Sequence, residues 1–150
     1  MANGASEFGG RLISAVKADD VRQVRDLIER GANPNVAQPG SGYTALMWAG
    51  TEAVTNVLLA AGADVDARDA RGHTALMWVM SMGRVPAEAA LVAQALIDAG
   101  ADVDAVDDDD RTALDWARYH AERRPGRHPN APRIAERVIA VLESRRLAGR

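Results

Sequence analysis

The stretch that decides the fold of this 150-residue chain is GHTALMWVMSMGRVPAEAALVAQALIDAGADVD, residues 72–104. Its opening phrase recurs as GYTALMWA at 42–49 and as RTALDWA at 111–117, and its closing phrase GADVDA also occurs at 62–67. Phrases that recur in a fixed order, with a period of roughly 30 to 40 residues, are typical of stacked repeat proteins. The sequence therefore predicts a row of similar units, because one unit of this size cannot bury its apolar face alone.

Each unit carries the start and stop signals of helices. The predicted N-cap residues are threonines, whose hydroxyl groups accept backbone N–H groups of the first helical turn. They are Thr44, Thr74 and Thr112. The second helix of a unit ends at a glycine, which adopts a left-handed backbone without strain. These glycines are Gly31, Gly62 and Gly100.

Apolar residues recur at fixed distances before each of these glycines. The residues four positions before them are Leu27, Leu58 and Leu96, and those three positions before are Ile28, Leu59 and Ile97. Equivalent positions in successive units form continuous stripes, so we expect both sets to be buried between neighbouring units.

These phrases resemble the ankyrin repeat, in which a turn is followed by two antiparallel helices, and whose signature is close to G-x-T-P-L-H-x-A. Alanine stands here for the proline of that signature, and its histidine is replaced by Met47, Met77 and Asp115. Asp110 replaces the turn glycine of the last unit, so we expect a left-handed residue there, with some strain.

The resemblance implies an all-α fold, an α-solenoid of about four stacked helix-turn-helix repeats with short finger loops, in an ankyrin repeat protein of bacterial type. We expect a flexible N-terminus at 1–10 and one domain at 11–150. Its repeats are expected at about 11–41, 42–71, 72–110 and 111–147. The second repeat is shortened near Gly50, the third is lengthened at 85–90, where Pro86 is expected to start a helix, and Pro132–Leu147 is expected to close the stack.

Composition excludes several classes of site. The chain has no cysteine, which rules out disulfides, thiolate metal sites and cysteine nucleophiles. Neither a signal peptide nor an apolar run long enough to cross a membrane is recognisable, so a cytoplasmic location is expected. Residues 1–110 contain 8 basic and 17 acidic side chains, whereas 111–150 contain 10 basic and 4 acidic ones. The two ends should therefore attract different partners.

Four sets of residues have both a structural and a functional interpretation. Trp48, Trp78 and Trp116 could form a binding platform, but packing between helices is favoured. Met47 and Met77 could pack internally or touch a partner on the concave surface. The run at 107–110 could bind calcium, but it lacks a spaced bidentate acid and a glycine turn, so a solvated tip is favoured. The chain's histidines, expected in turns or loops without metal-ligand spacing, are His73, His120 and His128.

The resemblance implies a non-catalytic module that binds a protein partner through its finger loops and the concave face of its inner helices. The positions that correspond to the family's contact residues are Ser41, Tyr43, Arg68, Ala70, Arg71, His73, Ser81, Met82, Val106, Asp108, Asp109, Arg111, Tyr119 and His120. We expect a monomer without cofactor, catalytic residues, metal or membrane contact.

Two other functions remain open at this stage. The arginine-rich C-terminal region, with Arg123, Arg124, Arg127, Arg133 and Arg137, could bind nucleic acid or another polyanion, although it lacks interleaved aromatic residues. A small metal-dependent hydrolase would require His73 or His120 to meet an acid inside a closed cleft.

Overall fold

The computed structural model describes residues 3–81, 88–123 and 131–148. Within these ranges the chain forms helices and turns, with one isolated antiparallel bridge between Ala37 and Thr44. The helices are α1 (Asn3–Lys17), α2 (Val21–Glu29), α3 (Ala45–Trp48), α4 (Glu52–Ala60), α5 (Ala75–Ser81), α6 (Ala89–Asp98), α7 (Ala113–Arg123) and α8 (Ala131–Ala148). The all-helical repeat architecture predicted from the sequence is confirmed.

The helices form two parallel rows. In the inner row α1 contacts α3, α3 contacts α5 and α5 contacts α7, while in the outer row α2 contacts α4, α4 contacts α6 and α6 contacts α8. Successive helices also pair, α1 with α2, α3 with α4, α5 with α6 and α7 with α8. Each helix pair therefore rests on the pair before it, which is the arrangement of a solenoid.

The predicted threonine caps are present at the start of the inner helices. Thr44 Oγ1 accepts the backbone N–H of Met47 at 3.3 Å, and Thr112 Oγ1 accepts that of Asp115 at 3.2 Å. The residues that replace the signature histidine return a bond to the threonine: Met47 Sδ accepts the Thr44 N–H at 3.4 Å, and Asp115 Oδ2 accepts the Thr112 N–H at 3.0 Å. The exchange of cap bonds survives the loss of that histidine because sulfur and carboxylate oxygen both accept.

The backbone bends as the glycine pattern predicts. The three glycines that end the second helices have positive φ angles of 90°, 89° and 95°: they are Gly31, Gly62 and Gly100. Asp110 has φ 58°, so the expectation of a left-handed aspartate in the last turn is confirmed. A short polar side chain tolerates this conformation better than most residues do.

One of the two predicted columns is fully buried and the other is not. Leu27, Leu58 and Leu96 are at most 1% exposed. Ile97 is buried too, but Ile28 and Leu59 are only half-buried, so the expectation of a second buried column is wrong for these two residues. The fully buried leucines lie on helices α2, α4 and α6. Two of the three residues that follow them, Ile28 and Leu59, are partly exposed to solvent.

The N-terminal end of the helical region differs from the sequence-based boundary, whereas the C-terminal helix agrees with its predicted bounds. Helix α1 begins at Asn3, whereas the sequence places the first helix after Gly10. The reason is packing: Phe8 lies half-buried against the core, and Gly9 is buried with room for little more than a hydrogen beside Val36. Helix α8 lies within one residue of its predicted bounds at each end. Pro86 lies outside the described residues.

Candidate partner-binding surface

Three turns project at the start of the inner helices, and in each of them the N–H of the first residue donates to the carbonyl oxygen of the last. The N–H of Gln38 donates to Tyr43 O at 2.9 Å in finger 1 (residues 38–43). Finger 2 (residues 69–73) and finger 3 (residues 107–111) are closed in the same way at 3.0 Å, from Asp69 to His73 and from Asp107 to Arg111. The fingers are therefore equivalent loops on successive units.

Finger 2 is organised around the carboxylate of Asp69, which is 7% exposed. Its Oδ1 accepts the backbone N–H groups of Arg71 at 2.8 Å and His73 at 2.9 Å. Its Oδ2 accepts the indole Nε1–H of Trp78 at 2.8 Å and lies 3.0 Å from His73 Nδ1. One buried carboxylate thus fixes the turn and joins it to helix α5.

Finger 3 repeats this arrangement around Asp107, which is 4% exposed. Its Oδ1 accepts the backbone N–H groups of Asp109 at 2.9 Å and Arg111 at 3.0 Å. Its Oδ2 accepts the indole Nε1–H of Trp116 on α7 at 2.7 Å. The expectation that residues 107–110 form a solvated tip is therefore wrong for Asp107, because its carboxylate faces inward to these donors. Asp108, Asp109 and Asp110 are exposed.

Both carboxyl groups are held in the ionised state. Burial by itself would raise the pKa of Asp69, but the N–H donors of Trp78, Arg71 and His73 outweigh it and lower that pKa below its ordinary value. The pKa of Asp107 is lowered in the same way, since the donors from Arg111, Trp116 and Asp109, with the charge of His73, outweigh desolvation.

His73 joins the two fingers from the inside. Its Nδ1 lies 3.0 Å from Asp69 Oδ2 in its own finger, and its Nε2 lies 3.4 Å from Asp107 Oδ2 in the next. Only 12% of its side chain is exposed, and its ring packs edge-on against Trp116. The Nδ1 contact is a hydrogen bond within finger 2, and the Nε2 contact is an ion-pair distance that crosses to finger 3. His73 is therefore a poor candidate for the direct partner contact that the sequence predicts.

Finger 1 departs from this scheme, and Trp48 shows the consequence. Gln38 occupies the position that Asp69 and Asp107 have in the later fingers, since each closes its turn through its own N–H. Within the described part of the chain, Trp48 Nε1 is buried and has no hydrogen-bond partner. Lys17 instead places its ammonium group 3.8 Å from the centre of a Trp48 ring. The tryptophan pattern is thus complete in two of the three units.

The aromatic side chains form a row along the fingers and inner helices. Tyr43 contacts Trp48 and Trp78, with ring centroids 5.9 Å and 4.3 Å apart, and the two indoles lie 5.6 Å from each other. Trp78 is 4% exposed, whereas Trp48 and Trp116 are half-buried. The tryptophans pack between helices, as the sequence predicts. Trp78 and Trp116 also bond to the finger aspartates.

The predicted contact residues fall into distinct environments. The exposed positions on or beside the fingers are Arg68, Ala70, Arg71, Val106, Asp108, Asp109 and Arg111. Ser41 and Tyr43 are half-buried in finger 1. Tyr119 is 42% exposed on α7, where His120 is half-buried and stacked on Trp116. His120 is therefore helical, and its assignment to a turn or loop is wrong. Ser81 ends α5, and Met82 and His128 lie outside the described residues.

Six of these residues also connect neighbouring fingers. Ser41 O accepts the N–H of Ala70 at 2.9 Å, and Arg71 O accepts that of Asp108 at 3.1 Å, so one backbone bond links each finger to the next. The Arg68 guanidinium donates to Val106 O at 2.6 Å and to Gly72 O at 3.2 Å. Arg68 is therefore engaged in holding fingers 2 and 3 together.

Met47 and Met77 do not lie on an open surface. They are 7% and 1% exposed, so the interpretation of these residues as concave-surface contacts is wrong. They follow the first buried leucine of each inner helix and point into the stack. The exposed aromatic and cationic groups at the end of the row are instead Tyr119 and Arg111, whose guanidinium carbon lies 4.9 Å from the centre of a Trp116 ring.

The contacts of His73 do not form a hydrolytic site. A general base needs a ring nitrogen within hydrogen-bond reach of a substrate proton. Both nitrogens of His73 face carboxylates that are already bonded to N–H donors, and the ring is nearly covered. Among residues 3–81, 88–123 and 131–148, no group of three or more potential ligands is placed to hold a metal ion.

The arginine-rich C-terminal region is partly accounted for by ion pairs. Arg118 Nη2 lies 2.8 Å from Glu143 Oε1, and Arg145 Nη2 lies 2.7 Å from Asp98 Oδ1. The side chains of Arg123, Arg124, Arg127, Arg133 and Arg137 lie outside the described part of the structure. None of the helices in the part that is described has the length and apolar character that crossing a bilayer requires.

The sequence was also compared with models of known protein families. A model described as ankyrin repeats, in three copies, matches residues 12–85 and again residues 50–125. Together these matches extend from the first inner helix, α1, to the end of α7, and include all three fingers. The chain belongs to the ankyrin-repeat family.

Proposed function

We propose that this protein is a non-catalytic module that binds a protein partner through its fingers and the adjoining surface of its inner helices. Ankyrin repeats generally mediate protein–protein interaction and are typically not enzymes. The observation that carries the proposal is the division of labour within fingers 2 and 3. Buried aspartates hold the backbone of each turn, while the side chains at the tip are exposed. A rigid loop with exposed side chains binds at a lower entropic cost than a mobile one.

The central contacts of this surface are Arg71, Arg111 and Tyr119. All three are exposed, and arginine and tyrosine are the side chains that contribute most often to the energetic centre of protein interfaces. Ala70, Val106, Asp108 and Asp109 border them, and Ser41 and Tyr43 extend the surface toward finger 1. Ser81, the last residue of α5, and Met82 complete the proposed set. We further propose that the protein is a monomer in the cytoplasm.

The test is a double charge reversal, Arg71→Glu with Arg111→Glu. The tagged wild-type protein is used to capture a partner from the source cell, and the captured protein is then titrated against both forms by calorimetry. The double variant should bind at least about tenfold more weakly, since arginine is enriched among the interface residues whose loss costs more than about 1 kcal/mol. Its melting temperature should change little.

The matched control is Arg22→Glu with Arg25→Glu, which reverses two exposed arginines on α2 of the outer row. This control should bind the captured protein as the wild type does. Equal binding by the finger variant and the wild type would show that the partner contacts another face.

Polyanion binding by the C-terminal region is the second candidate, and the observation that favours it is the excess of 10 basic over 4 acidic side chains in residues 111–150. It predicts binding to a labelled nucleic acid that weakens steeply as salt is added.

A further inference from the structure

We propose that His73 is a positioning residue that holds fingers 2 and 3 in a fixed relative orientation and so sets the spacing of Arg71 and Arg111. This inference rests on the proposed function for its meaning, because those two arginines are the centre of the proposed surface. The link itself is a property of the free protein. It can therefore be tested without a partner.

Each carboxylate that His73 contacts also holds the backbone of one finger arginine. Asp69 Oδ1 accepts the backbone N–H of Arg71, and Asp107 Oδ1 accepts that of Arg111. The other oxygen of each carboxylate faces a nitrogen of His73, at 3.0 Å and 3.4 Å. A single aspartate side chain therefore separates the imidazole from the backbone N–H of each arginine. A displacement of either carboxylate would move the arginine that it holds.

Two other hydrogen bonds link fingers 2 and 3. The Asp108 N–H bonds to Arg71 O at the tips, and Arg68 bonds to Val106 O beside the turn. Both links involve exposed residues, whereas Asp69 and Asp107 are buried. The His73 contact adds an attachment in the interior, between the two carboxylates that hold the turns themselves.

The residue equivalent to His73 in finger 1 makes a different contact. Tyr43 is the residue before the N-cap threonine in finger 1, as His73 is in finger 2. Tyr43 reaches the next unit by a ring contact with Trp78. Its own finger has Gln38 in place of the aspartate, so no carboxylate pair is available for it to bridge. The polar bridge is therefore specific to fingers 2 and 3.

Two amide substitutions separate the two contacts of His73, the Nδ1 hydrogen bond to Asp69 and the Nε2 ion-pair contact with Asp107. The amide nitrogen of asparagine comes close to the position of Nδ1, and that of glutamine close to the position of Nε2. His73→Asn should therefore keep the contact with Asp69 within finger 2, whereas His73→Gln should keep the contact with Asp107 in finger 3. Only the second contact crosses between fingers, so the proposal requires different outcomes for the two variants.

The experiment measures the distance between the fingers by electron paramagnetic resonance of the full chain. The sequence has no cysteine, so spin labels can be attached at Ala70→Cys and Asp109→Cys, two exposed positions whose backbone bonds are kept. The labelled parent should give one narrow distance distribution. His73→Asn should broaden it, and His73→Gln should restore most of the narrow component.

Two controls separate positioning from general loosening of the fold. Tyr43→Phe alters the equivalent residue of finger 1, and Val24→Ala destabilises the core of α2 far from fingers 2 and 3. Both should leave the distribution narrow. The proposal is overturned if His73→Asn leaves it narrow, or if His73→Asn and His73→Gln broaden it equally. Neither result bears on whether the arginine reversals weaken partner binding.

Discussion

Trp116 donates its indole N–H to Asp107 Oδ2 at 2.7 Å, across nine residues of sequence. Trp78 and Asp69 make the same bond at the same spacing, at 2.8 Å, whereas Trp48 Nε1 has no partner in the described structure. Two of the tryptophans therefore make equivalent hydrogen bonds, and Trp48, which makes none within the described residues, serves as a comparison.

Tryptophan-to-phenylalanine substitution at these three sites should separate hydrogen bonding from packing. All three variants lose ring volume, but Trp78→Phe and Trp116→Phe also remove a donor from a buried carboxylate. These two should lose about 1–3 kcal/mol more unfolding free energy than Trp48→Phe. Urea denaturation followed by circular dichroism measures the difference. Equal losses at the three sites would mean that the indole bonds contribute no net stability.

The finger aspartates should be among the most sensitive polar positions of the chain. Asp107→Asn leaves the size of the side chain unchanged but removes its charge and turns an N–H₂ group toward existing donors. The expected loss of unfolding free energy is about 2–4 kcal/mol, because several charge-assisted bonds depend on that carboxylate. Asp108→Asn, on the adjacent exposed residue, is the matched control and should change stability by less than about 0.5 kcal/mol. Similar losses for the two variants would contradict the inward role of Asp107.

The same carboxylates predict how stability depends on pH. The pKa values of Asp69 and Asp107 are lowered in the folded state, so the unfolded chain binds protons at these sites more readily than the folded chain does. Their contribution to stability should be complete above about pH 5 and should be lost as the pH falls below about 4, through the folded pKa values.

Urea titrations between about pH 3 and pH 6 test this dependence. The double variant Asp69→Asn with Asp107→Asn should be less stable at the upper end and should lose less stability on acidification than the wild type. If the two proteins show parallel acid limbs, other carboxyl groups dominate the acid sensitivity of the fold.

Gly72 should tolerate substitution less well than Gly62, although both have positive φ angles, of 76° and 89°. A Cβ atom at Gly72 would lie 2.8 Å from Asp108 Oδ1 and 3.1 Å from Asp108 N, whereas one at Gly62 would meet open space. Gly62→Ala should therefore cost about 1 kcal/mol from backbone strain alone. Gly72→Ala should cost more, because it also pushes finger 3 away. Thermal melts of the two variants give the comparison, and a smaller loss for Gly72→Ala would contradict the close approach of the fingers.

Much of the fold follows from the sequence because its signals are local and repeated. The threonine caps, the cap glycines and the left-handed Asp110 depend on residues within a few positions of one another, and Leu27, Leu58 and Leu96 recur at the same distance before each cap glycine. Helix α1 was harder to place, since Gly9 and Gly10 are weak helix formers. Its N-terminal turns are helical because Phe8 packs on the core.

The finger network could be predicted only in part. The spacing of nine residues between Asp69 and Trp78, and again between Asp107 and Trp116, is a signal in the sequence that points to these bonds. The bridge by His73 depends on how far finger 3 lies from finger 2, which no local pattern encodes. For the same reason His73 looks like a surface residue in the sequence and is nearly covered in the structure.

The backbone bonds from Ala70 to Ser41 and from Asp108 to Arg71 give the two junctions between successive fingers the same kind of joint. A chain assembled in this way can be lengthened by duplication. We expect an extra copy of residues 73–110, inserted after Asp110, to find its acceptor carbonyl and its indole-binding carboxylate already in place on either side.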